Sequence, residues 1–133
     1  MADSTAPELH TPLQAPLRVS RHENFESWYA NNIQLIPSEW DLRMLFGEVD
    51  FTQMIVQQHT AMTVTWLQAK LLLYFLTVQV GIYELMHKKI DVPPSVQPID
   101  PQPPTGEIAN DPDAQKVYEY MKKLRAQFID SLK

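Results

Sequence analysis

Histidine and carboxylate side chains are the groups of this chain with the widest range of chemistry, so their spacing is the first test of function. The histidines are His10, His22, His59 and His87, and no two lie three or four residues apart. A helical metal site needs such a repeat, so no metal ligand and no cofactor is expected. There is no cysteine, which removes disulfides, thiolate ligands and sulfur nucleophiles. No G-x-S-x-G elbow occurs, and the serines fall mostly in turns, arms and linkers, so an activated hydroxyl is not expected. Acid–base work needs paired carboxylates. Glu39 with Asp41, and Glu48 with Asp50, are read as solvated acids near turns. An enzyme would have to bring Asp41, His59 or Glu84 together in one pocket. The three glycines, Gly47, Gly81 and Gly106, are too far apart for a phosphate-cradling loop.

Charge narrows the partners. The chain has 133 residues, a formal net charge of −5 and 44% apolar side chains. That is one domain's worth of chain with an ordinary soluble composition. Its cations gather only at Lys88–Lys89 and at Lys122, Lys123 and Arg125. An acidic surface repels phosphate backbones, so nucleic acid is not expected as a partner. Residues 1–21 lack a basic start followed by an apolar run, so no signal peptide is read and the cytoplasm is the expected location. Residues 66–86 are greasy, but Gln68, Lys70, Gln79 and Glu84 interrupt them. They are read as a buried helix and not as a membrane span.

Four sections would position these residues. They are a proline-containing arm over 1–23, a core domain over 24–90, a proline-rich linker over 91–110 and a helix over 111–133. The core is expected to open with a hairpin of strands 27–36 and 39–49, turning at Pro37 and Ser38. Leu35 would then face Trp40, Ile33 would face Leu42, Asn31 would face Met44, and Tyr29 would face Phe46. That register gathers the apolar side chains on one face. Asn31 is the polar exception and needs a hydrogen-bond partner. A third strand is predicted over 53–64 after a turn near 48–51. A long helix is predicted over 65–89, with Thr65 and Gln68 forming a capping box. His87, Lys88 and Lys89 suit its C-terminal dipole.

The long helix shows two apolar sides. Leu72, Phe75, Leu76, Gln79, Tyr83 and Met86 line one, and Leu71, Tyr74, Val78, Ile82 and Leu85 line the other. A helix lying on a single sheet needs one stripe. The second is expected to meet another copy of the chain, unless the flanking arms fold over it. Self-association is therefore assigned to Leu71, Tyr74, Val78, Ile82 and Leu85. Gly81 would suit a close helix crossing, or is simply tolerated. After the linker, Asp111 and Pro112 are helix-starting residues. Val117, Met121, Leu124 and Phe128 form a seam able to dock on another protein or on the chain's own core. The linker's P-x-x-P spacing is read as a spacer.

Tyr29-Ala30-Asn31, Ser38, Asp41, Phe46-Gly47, Thr65, Ala69-Lys70, Leu72 and Tyr83-Glu84 carry a resemblance over residues 25–88. The chain resembles the domain-of-unknown-function family 3467, small bacterial and archaeal proteins. Trp66 stands where that pattern has a proline. The resemblance implies an architecture and no chemistry. The expected fold is α+β: a three-stranded antiparallel sheet, a long helix, a proline-rich linker and a C-terminal helix. The expected function is that of a non-enzymatic homo-oligomeric interaction or assembly protein. A chaperone-like binder of apolar peptides and an enzyme of unrecognised type are the alternatives.

Overall fold

The computed structural model describes residues 18–133. Most of the 1–23 arm, with His10 and its prolines, lies outside the described residues. The chain divides into two compact units, Met1–Val64 and Thr65–Lys133. The first holds the sheet; the second holds both long helices and the linker. The class is α+β, as expected.

In the first unit, β1 (Asn32–Pro37), β2 (Asp41–Asp50) and β3 (Ile55–Thr65) form an antiparallel sheet in sequential order. The hairpin register differs from expectation. Leu35 faces Met44, Ile33 faces Phe46 and Pro37 faces Leu42. Ser38 is the reason. Its backbone N–H donates to the Asp41 carbonyl at 2.9 Å. Its Oγ accepts from the N–H groups of Trp40 and Asp41 at 3.1 and 3.0 Å, and donates to Asp41 Oδ1 at 2.7 Å. Ser38 and Asp41 thus close the hairpin around a Glu39–Trp40 loop, and Pro37 remains in the strand. Each partner moves by four positions. An even shift preserves the faces, because side chains alternate with period two.

Asn31 does not face Met44. It extends the β1–β2 ladder, donating its N–H to Gly47 O at 3.1 Å and accepting from Val49 N at 2.8 Å through Oδ1. The amide is thereby satisfied inside its own unit. Among the described residues Met44 is the one buried large hydrophobic, at 8% exposure. It lies on the central strand, where neighbours cover both sides. The turn into β3 spans residues 51–54, later than expected. Asp50 Oδ1 caps it by accepting from Thr52 N and Gln53 N at 2.8 and 3.2 Å.

In the second unit, α1 (Trp66–Met86) starts at the expected cap, with Thr65 Oγ1 accepting from Gln68 N at 3.2 Å. It ends before Lys88. The His87 N–H and Nδ1 both lie near Tyr83 O, at 3.0 and 3.1 Å, and so close the last turn. Lys89 serves a different helix terminus: its Nζ donates to Ser131 O at 3.0 Å. That carbonyl belongs to α2 (Pro112–Ser131), which starts where Asp111 accepts from Asp113 N at 3.0 Å. The intervening linker contains two short 3-10 turns, Pro94–Val96 and Gly106–Ile108. Arg125 pins it to α2, with Nε donating to Pro98 O at 2.8 Å and Nη1 pairing with Asp100 Oδ1 at 2.8 Å.

Candidate functional site

The feature that stands out among the described residues is apolar surface that the chain leaves open. None of the residues of α1 is buried. Among the residues assigned to self-association, Leu71 and Val78 are half-buried, while Tyr74 is 63%, Ile82 42% and Leu85 87% exposed. On the other side, Leu76 and Met86 are open and Phe75 is half-buried. The half-buried positions Leu71, Phe75 and Val78 form one stripe, so shelter falls between the two sides distinguished in the sequence. By length and apolarity α1 qualifies as a helix able to cross a membrane.

The α2 seam is also open. Val117, Met121, Leu124 and Phe128 are between 38% and 58% exposed. The half-buried positions of α2 are instead Ala114, Gln115, Tyr118, Arg125 and Ile129, continued by Leu132 at its C-cap. Arg125 sets this rotation, because its bonds to Pro98 and Asp100 turn its own face toward the linker. Nothing in the local pattern signals that role; the arginine reads as one of a cationic cluster. Two shallow apolar grooves result within this unit. One, of about 540 Å³, is bordered by Leu76, Val80, Gly81, Glu84, Phe128 and Leu132. The other, of about 310 Å³, is bordered by Pro98, Ile99, Pro101, Met121, Leu124 and Phe128.

The polar residues that an enzyme would require have separate structural engagements. Asp41 closes the β1–β2 loop through Ser38. Glu84 Oε1 accepts from Ile90 N at 3.0 Å, just past the end of α1. His59 Nε2 lies 2.8 Å from Tyr29 O, and its Nδ1 2.8 Å from Thr60 Oγ1. A carbonyl only accepts, so Nε2 carries the proton and Nδ1 accepts from the threonine hydroxyl. The ring also stacks on Trp28, with centroids 5.1 Å apart. His59 therefore clips the segment before β1 onto β3. Asp41 and His59 engage opposite ends of β1. Among the described residues no three His, Asp or Glu side chains gather in a way that could hold a metal ion.

No family model, curated protein or solved structure matches the chain.

Proposed function

We propose that this is a non-enzymatic homo-oligomeric interaction or assembly protein, in which α1 is covered by a second copy of the chain. One observation carries the reading: a helix of 21 residues with large apolar side chains on both sides has no buried residue. Covering a Leu or Tyr fully is worth about 1.5–3 kcal/mol, so a partner that shelters Tyr74, Ile82 and Leu85 gains substantially. The α2 seam is the docking element for a further protein in this reading. A cytoplasmic location and membership of family 3467 belong to the proposal as well.

Light scattering coupled to size exclusion tests it. The expected mass is a multiple of 15.4 kDa. Leu85→Lys, at a position open in the single chain, is expected to shift the mass toward one subunit. A wild-type chain that stays at one subunit across micromolar to millimolar concentration would sink the proposal.

The length and hydropathy of α1 favour a second reading, insertion in a bilayer. Lys70 and Glu84 oppose it. They bound an uncharged stretch of thirteen residues, 71–83, where a span needs roughly 20. Flotation with phosphatidylcholine vesicles separates the two: a protein that floats without detergent is membrane-bound, and one that stays in the dense fraction is not.

A further inference from the structure

The two edges of the sheet are unequal. β1 is short, six residues, and ends in Pro37. Proline lacks an N–H and blunts an edge. β3 is eleven residues long and contains no proline. Its inner side faces β2, and among the described residues no strand lies on its outer side. The main-chain hydrogen bonds found outside regular elements include none from β3 among the described residues. Natural edges are usually protected by charge, and here that protection is missing. Residues 51–69, which include all of β3, contain no Asp, Glu, Lys or Arg, in a chain whose side chains are 20% charged.

An unblunted edge of this length is a template for another strand. Charge argues for which one. Two copies of the acidic chain repel through their formal charge of −5, but two β3 strands oppose no like charges. An antiparallel pair related by a two-fold axis has one register that uses the whole strand, centred on Thr60. It places Thr60 opposite its own copy, Val56 opposite Val64 of the other chain, and Gln57 opposite Thr63. Thr–Thr and β-branched pairs are favourable cross-strand neighbours. We infer that β3 pairs antiparallel with β3 of a second copy, joining two three-stranded sheets into one six-stranded sheet. The inference rests on the self-association reading and adds a main-chain contact to the side-chain contact proposed for α1.

The absence of native cysteine gives a clean test. Residues facing each other in an antiparallel pair have Cα atoms about 4.5–5.5 Å apart, within disulfide reach. Thr60→Cys is expected to form a disulfide-linked dimer under mild oxidation. The comparison is Glu119→Cys, whose side chain is exposed on α2. At micromolar protein, held proximity acts as a millimolar effective concentration, so linkage at position 60 is expected on the order of a thousandfold faster. An equimolar mixture of Val56→Cys and Val64→Cys chains is expected to form the mixed dimer, which verifies the register with mild substitutions. If light scattering shows a wild-type oligomer but both pairs link no faster than Glu119→Cys, β3 pairing is wrong and self-association stands. A wild-type chain of single-subunit mass overturns both.

Discussion

Gly47 and Gly81 look alike in the sequence and differ in the structure. A Cβ built on Gly47 would lie 2.6 Å from the carbonyl oxygen of Gln57, which is backbone and cannot swing away. Gly47→Ala is expected to lower stability by about 1–3 kcal/mol, read as an earlier midpoint in urea. A Cβ on Gly81 would meet nothing within 4 Å. Gly81→Ala is expected to raise stability by about 1 kcal/mol through helix propensity, measured the same way at fixed protein concentration. Met54 holds a positive φ of 55° in the turn before β3, a conformation that disfavours a side chain by roughly 1–2 kcal/mol. Met54→Gly releases that strain and exchanges it for unfolded-chain entropy, so a gain of a few tenths to about 1 kcal/mol is expected in thermal unfolding. None of these local requirements shows in residue type: each depends on what another strand or turn places nearby.

The elements were largely readable, and the departures have identifiable causes. Thr65 and Asp111 start their helices as a short polar side chain before an apolar run predicts, because capping is satisfied within four residues of chain. The hairpin register departs from expectation because Pro37 has the form of a turn residue, whereas the hydroxyl of Ser38 provides the turn's hydrogen bonds. Ser38→Ala removes that acceptor and is expected to lower stability by about 1 kcal/mol and to broaden the Trp40 signal in fluorescence or NMR. The alternation of side chains is the same in both registers, since a shift of four positions leaves each face intact. In α2, the apolar seam and the half-buried face differ because Arg125 bonds the linker. Arg125→Lys keeps the charge but loses the fork that reaches Pro98 and Asp100 together. Faster amide exchange across residues 96–101 is the expected result, with α2 helicity unchanged in circular dichroism.

For the molecule as a whole, apolar surface is abundant and its burial within one chain is slight. Phe25, Trp28, Trp40, Phe51, Leu67, Leu73 and Leu85 are all exposed. In the proposed assembly, the members of this set on α1 are the ones a second copy covers. The oligomer is expected to dissociate with the Leu85→Lys change, read as a fall in mass by light scattering while circular dichroism keeps the helical signal of α1 and α2. Composition and periodicity determined the fold class, the order of strands and helices, both helix starts and the double-sided character of α1. These depend on interactions a few residues apart, which the chain order encodes directly. The hairpin's closing pair, the His59 clip on Tyr29, the close approach at Gly47 and the rotation of α2 on its linker exist only in the folded chain. Each joins groups that are distant in sequence or is settled by the hydrogen bonds of one side chain, and residue spacing does not record which of several partners a side chain will meet.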